Sequence, residues 1–189
     1  MARYFVALLP PDDIQAEVCR IKQHFAARYQ SRKAFNSPPH ITLQSPFEWS
    51  PPVPDVEDST SFIPTELANG LADFAALQAS VPMHLSGFAA FAPRVIYINV
   101  VETAELMALQ AEVARYFASE WGIADRAGKG RAFVPHMTVA FRDLSKSNFH
   151  AGWTEFKDQA FETQFKVAAL TLLYHNGQRW EICQEFPLG

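Results

Sequence analysis

The pattern Pro-His-apolar-Thr-apolar occurs twice in this chain, as Pro39-His40-Ile41-Thr42-Leu43 and as Pro135-His136-Met137-Thr138-Val139. Each copy lies in a run that reads as a β-strand. Strand side chains alternate between faces, so His and Thr at i and i+2 point the same way. Two such strands, 96 positions apart in the chain, place two imidazoles and two hydroxyls in one cleft once they are brought together. Each leading proline removes an N–H that would need a partner and fixes the approach of the chain to its histidine. It also argues for a strand start or an edge strand, where a ligand can reach the imidazole.

The rest of the chain supplies a frame for these two strands. Arg3 to Leu9 reads as a strand ending at Pro10-Pro11, and Asp12 or Asp13 is placed to cap the helix that follows. Ile14, Val18, Ile21 and Phe25 recur at helical spacing, which predicts an amphipathic helix to about Tyr29. The first motif strand covers about His40 to Gln44. A second helix is predicted over Thr65 to Leu77, with Thr65 as its cap. A hairpin of Met83–Phe91 and Val95–Val101 turns near Pro93-Arg94. Thr103 caps a third helix bearing Leu106, Leu109, Val113 and Phe117. The second motif strand is expected over Ala132 to Phe141 and a short helix over Lys146 to Phe156. Two closing strands, Phe165–Tyr174 and Trp180–Phe186, are joined by the hairpin signal Asn176-Gly177. Strand–helix–strand thus occurs twice, each time delivering a motif. The expected fold is α+β, one domain over 1–189 made of two similar lobes around a central cleft.

The clearest interruption is the Pro-rich, acidic stretch 46–64, which carries Trp49 and reads as a flap close to the first motif. It holds much of the acidity: the formal charge is −4, and Glu48, Asp55, Glu57 and Asp58 lie together without a Lys or Arg among them. The remainder is balanced, whereas a long nucleic-acid groove shows an excess of basic residues. A small substrate or the end of a polymer fits better. Cys19 and Cys183 are too few and too distant for a disulfide framework and read as buried thiols in a reducing compartment. No apolar run approaches the roughly 18 residues of a bilayer span. A soluble, cytoplasmic monomer is expected, with no membrane association.

The chemistry of the repeated motif is specific. A histidine near its ordinary pKa of about 6.5 gives or takes a proton at neutral pH. Opening a cyclic phosphodiester with water needs both acts, one imidazole taking the proton of water and one imidazolium protonating the departing oxygen. Threonine hydroxyls, stiff at χ1, donate to the non-bridging oxygens as charge builds there. One His-x-Thr in a strand is commonly structural; two matching copies point to a site. His40 and His136 are the candidate catalytic residues, and Thr42 and Thr138 the candidate phosphate-binding residues.

Other residues carry weaker signals. His24, His84, His150 and His175 are scattered without the close spacing that zinc sites use, so no metal and no cofactor is expected. His24 is placed on the solvent side of the first helix. Arg126, Lys129 and Arg131 flank Gly128 and Gly130 just before the second motif, where they either contact phosphate or form an ordinary solvated loop. Phe5, Trp49, Tyr97, Phe133 and Tyr174 are aromatic rings that stack either on a base or in the core.

On these residues the chain resembles the 2H phosphoesterase superfamily, named for its two His-x-Thr motifs. Within it the chain is most similar to the LigT-like RNA 2′,3′-cyclic phosphodiesterases, also called 2′-5′ RNA ligases. RYFVALLPP resembles the family's first strand, SPPHITLQSPF its first motif, RVIYINV its middle strand, FVPHMTVAFRD its second motif and LTLLYHNGQRWEICQEFPL its final hairpin. The resemblance implies a bilobal fold with antiparallel sheets around a cleft and helices outside, with no metal. Catalysis would fall to His40 and His136 and phosphate binding to Thr42 and Thr138. It also implies opening of 2′,3′-cyclic phosphates to 2′-phosphomonoesters, in some relatives with the reverse 2′-5′ joining. By analogy His40 would be the acid on the departing oxygen and His136 the base on water. Val134 stands where RNA-processing relatives often carry a basic residue, and Ala140 and Phe141 precede Arg142 where another often follows at once. These departures lean toward a small cyclic nucleotide or a short RNA end as partner. A nucleotide- or RNA-binding module without turnover is the rival reading; the four intact motif residues favour the enzyme.

Overall fold

The computed structural model describes residues 2–49, 63–124 and 132–189. Its elements run in the order β1 (Ala2–Leu8), α1 (Asp12–Tyr29), a 3₁₀ turn (Lys33–Asn36), β2 (Ile41–Trp49), α2 (Thr65–Ala76), β3 (Val81–Phe91), β4 (Val95–Val100), α3 (Ala104–Trp121), β5 (His136–Ala140), α4 (Lys146–Phe156), β6 (Glu162–Val167), β7 (Ala169–His175) and β8 (Trp180–Pro187).

The strands form two four-stranded sheets, β2-β1-β7-β8 and β5-β4-β3-β6, with every pair antiparallel. The two orders correspond. In each sheet the motif strand is at one edge and pairs with the strand that precedes a long helix. This is the two-lobed α+β architecture expected, and the pseudo-symmetry rests on strand order rather than on local sequence. The helices tie the lobes together, because α1 packs on β5 and α3 packs on β2. Each long helix thus supports the motif strand of the opposite lobe. One apolar cluster draws on both sheets, with Val6, Ile41 and Leu172 from the first, and Ile98, Met137 and Val139 from the second.

Helix α1 buries Ile14, Val18, Lys22, Phe25 and Tyr29 on one face. Neither Asp12 nor Asp13 caps it: Pro11 holds the N-cap position without a side-chain bond, and the two carboxylates sit in the first turn, at the positive end of the helix dipole. Thr65 likewise is the first residue of α2 and not its cap, which is Pro64. Thr103 does cap α3, its hydroxyl accepting from the Leu106 N–H at 3.2 Å.

Three further expectations are corrected. The segment Phe165–Tyr174 is not one strand. The chain leaves the second sheet at Val167 and enters the first at Ala169, and the continuous apolar run hides the crossing. The interruption at 46–64 begins later than its composition suggests, because β2 continues to Trp49, with Phe47, Glu48 and Trp49 opposite Tyr4, Arg3 and Ala2. Pro46 is tolerated inside the strand because β2 is an edge strand and the register shifts beside it. Trp49 is buried against Trp121, with ring centroids 5.2 Å apart. The flap expected over the remainder lies outside the described residues, apart from its last two positions before α2. The second motif strand is shorter than expected, His136 to Ala140. Asn176-Gly177 turns between β7 and β8 as expected, Gly177 taking a φ of +95° that a side chain would resist.

Candidate active site

His40 directly precedes β2 and His136 opens β5, so each imidazole stands at the start of an edge strand, behind its proline. Thr42 sits opposite Ala7, and Thr138 opposite Tyr97. The two histidines make the same local bond. His40 Nδ1 lies 2.7 Å from the Pro38 carbonyl and His136 Nδ1 lies 2.8 Å from the Val134 carbonyl. A carbonyl oxygen only accepts, so this geometry assigns the hydrogen to Nδ1 in both rings and leaves each Nε2 lone pair available. The pattern X-Pro-His places that acceptor two residues back in both copies.

One cavity of 290 Å³ is lined by His40, Thr42, His136 and Thr138 together. The folding of two lobes around β2 and β5 therefore brings all four predicted residues to one place. Phe5 and Trp180 wall the cavity on the first lobe, and Asn36 and Ser37 wall it beside the 3₁₀ turn. Phe5 lies 4.9 Å from the His40 ring and 4.7 Å from the Trp180 ring, centroid to centroid. Phe91 and Tyr97 flank His136 at 5.0 and 5.2 Å. These rings hold each imidazole plane in place while leaving the cleft side open. A second cavity of 670 Å³ shares Thr42, His136 and Phe141 with the first and continues under the turn Phe91–Arg94, past Phe133 and Arg142.

Burial pushes both histidines below their ordinary value. His40 is lowered to about 4, chiefly by burial and further by the positive charges of Lys22 and His136; the Pro38 carbonyl works the other way. His136 is lowered by burial, against the pull of the Val134 carbonyl. Both shifts favour the neutral ring. A bound phosphate, as a nearby negative charge, favours the imidazolium form and draws a proton in.

The 3₁₀ turn is held from both sides. The Asp143 carboxylate, beyond β5, accepts from the Ser31 hydroxyl at 2.9 Å and from the N–H groups of Arg32 and Lys33 at 2.6 and 2.9 Å. Ser31, itself fully buried, accepts from the Phe141 N–H at 3.0 Å. At the other end, Lys22 Nζ donates to the carbonyls of Ala34 and Ser37. Sequence reasoning missed Ser31, Asp143, Lys22 and the wall residue Trp180. Only Lys22 left a signal, being a lysine on the apolar stripe of α1.

The weaker candidates separate. Phe5 lines the cavity, Tyr97 backs His136, and Phe133 belongs to the adjoining cavity. Trp49 is core, and Tyr174 packs on Tyr4. His24 is not simply solvent-facing: its Nε2 lies 2.9 Å from Glu155 on α4, and its ring packs on Phe156. His84 pairs with Glu162, and His175 packs on Trp180. The loop of Arg126, Lys129 and Arg131 lies outside the described residues. Among the described residues, no group of three or more His, Cys, Asp or Glu is placed to hold a metal ion, and no helix is long and apolar enough to cross a membrane.

Comparison with known proteins places the chain in a family and its fold among solved structures. A family model described as the 2′-5′ RNA ligase superfamily matches residues 10–179. A Bacillus pumilus protein whose name assigns it provisionally to the phosphoesterases is 30% identical, over 99% of this chain and 98% of that one. Among solved structures, TT0787 of Thermus thermophilus superimposes with a TM-score of 0.66 at 17% identity, covering 98% of this chain and 97% of its own. Escherichia coli LigT complexed with 3′-AMP gives 0.60 at 18% identity, covering 99% and 98%. LigT complexed with NADP+ gives 0.57 at 18% identity over the same shares. At these identities the solved structures establish the fold.

Proposed function

The chain belongs to the 2′-5′ RNA ligase superfamily and is a phosphoesterase by that membership, and from this premise we propose that it opens 2′,3′-cyclic phosphates to 2′-phosphomonoesters without a metal. The observation that carries the reading is the single cavity shared by His40, Thr42, His136 and Thr138, with both Nε2 atoms available. One neutral imidazole takes a proton from water as the water oxygen bonds to phosphorus. The other, charged, gives its proton to O3′ as the P–O3′ bond breaks. The two threonine hydroxyls donate to the non-bridging oxygens, where negative charge grows in the transition state. With a 5′-hydroxyl end attacking phosphorus in place of water, the same displacement of O3′ would join RNA ends through a 2′-5′ linkage.

The substrate is a nucleotide with its phosphate at the four motif residues. LigT has been captured with 3′-AMP and with NADP+, which supports nucleotide recognition in this fold. Phe5 and Trp180 offer aromatic surface to a base, and the adjoining cavity gives space on the far side of the phosphate for a further group. Both a small cyclic nucleotide and a short RNA end fit this arrangement.

The test is to incubate EDTA-treated protein with 2′,3′-cyclic AMP and, separately, with a short RNA ending in a 2′,3′-cyclic phosphate. Turnover in EDTA is expected, and the ratio of the two kcat/KM values identifies the preferred substrate size. Turnover that needs added metal, or binding of both ligands with no product on long incubation, would overturn the proposal.

A further inference from the structure

A cavity that takes a phosphate needs positive charge, and the walls around the four motif residues supply little. The two threonines are neutral, and Phe141, which follows the second motif strand and lines the cavity, is apolar. The arginines nearby are turned to other places. Arg3 lies over the Trp180 ring at 5.6 Å, and Arg142 lines the adjoining cavity, 5.5 Å from the Phe141 ring. Lys22 is spent on the carbonyls of Ala34 and Ser37. Among the described residues, Lys33 on the 3₁₀ turn is the one lysine or arginine that lines the motif cavity, and no carboxylate lines it to compete.

The turn gives this lysine a fixed root and an unspent tip. The Lys33 N–H donates to the Asp143 carboxylate at 2.9 Å and the Arg32 N–H before it at 2.6 Å, while the Ala34 carbonyl after it accepts from the buried Lys22 at 2.9 Å. The Asp143 carboxylate is occupied by those two N–H groups and by the Ser31 hydroxyl. The Lys33 ammonium itself enters no ion pair and no hydrogen bond among the described residues. With the backbone already held on both sides, only the rotamers of one side chain are left to be ordered when an anion arrives.

We propose that Lys33 is a substrate-binding residue, its ammonium pairing with the non-bridging oxygens of the phosphate that lies between the two histidines. This rests on the two-histidine hydrolysis proposed above and adds to it the charge that the motif side chains lack. As water bonds to phosphorus and the P–O3′ bond breaks, negative charge gathers on the non-bridging oxygens. Lys33 therefore holds the transition state more tightly than the cyclic substrate. Thr42 and Thr138 orient those oxygens by neutral hydrogen bonds, and the ammonium adds a charge-assisted one, which is the stronger kind.

Calorimetric titration of the wild type, Lys33→Met and Lys33→Arg with 2′-AMP and with adenosine tests this, because the two ligands differ only by the phosphate. Lys33→Met should bind 2′-AMP about tenfold or more weakly and adenosine as the wild type does. Added salt should weaken 2′-AMP binding less in Lys33→Met than in the wild type, since one charge pair is gone. Lys33→Arg, which keeps the charge, should retain most of the affinity. On 2′,3′-cyclic AMP, kcat/KM of Lys33→Met should fall at least as far as its affinity for 2′-AMP, with the urea midpoint in place. An unchanged affinity for 2′-AMP overturns the proposal, as does an equal loss for adenosine, which would put the ammonium on the nucleoside. Where adenosine binds too weakly to measure, the salt dependence decides, and an unchanged slope overturns the proposal. Binding needs no turnover: a wild type that holds 2′-AMP through Lys33 yet leaves 2′,3′-cyclic AMP uncleaved sinks the hydrolysis reading, while the contact between Lys33 and phosphate stands.

Discussion

Two imidazoles line one cavity with their hydrogen on Nδ1 and their lone pair on Nε2, and each owes its orientation to a carbonyl two residues back. Replacing either histidine by alanine should abolish turnover. Replacing Thr42 or Thr138 by valine, which keeps the β-branched shape, should slow kcat about tenfold or more with the fold intact; circular dichroism beside steady-state kinetics checks both. Because both histidines are lowered in the free protein, kcat/KM should follow a bell centred on the acid side of about 6.5. The same shifts act on stability. His40 in the folded state, at about 4, lies below its unfolded value of about 6.5, so the unfolded chain binds more protons between these limits. Its contribution is full above about 6.5 and is lost as the pH falls through 4. Urea unfolding should therefore show a midpoint that drops between pH 7 and pH 4.5, and drops less in His40→Gln. The four motif residues were legible in the sequence because the pattern repeats. Ser31 and Asp143 were not, since a hydroxyl and a carboxylate 112 positions apart carry no local sign that they will meet.

The 3₁₀ turn is the element whose placement matters most to the cleft. Lys22 pins it from α1 and Asp143 from the segment beyond β5, so both lobes fix one wall of the cavity. Asp143→Ala leaves the Ser31 hydroxyl and two N–H groups without their acceptor. It should cost about 1–3 kcal/mol and raise KM more than it lowers kcat, as read from denaturant unfolding and steady-state kinetics together. The elements themselves were largely readable from apolar periodicity and capping residues such as Thr103. The failures have physical reasons. Crossing between sheets at Ala168 leaves no mark in an unbroken apolar run, and a proline inside an edge strand looks like the start of a loop.

Across the whole molecule, two sheets of matching strand order are locked by helices that reach to the opposite lobe, α1 onto β5 and α3 onto β2. The lobes should unfold together. Phe25→Ala, which empties a fully buried position on α1, should cost about 3–5 kcal/mol and still give one transition by both tryptophan fluorescence and circular dichroism; two separated transitions would mean the lobes are independent. That coupling keeps His40 and His136, carried by different sheets, within one cavity. The measurement that tests the account most directly is ³¹P NMR of 2′,3′-cyclic AMP incubated with the wild type, His40→Ala and His136→Ala. The account predicts a 2′-phosphate as sole product from the wild type and none from either variant. A 3′-phosphate, a mixture of the two, or turnover surviving in either histidine variant would contradict it.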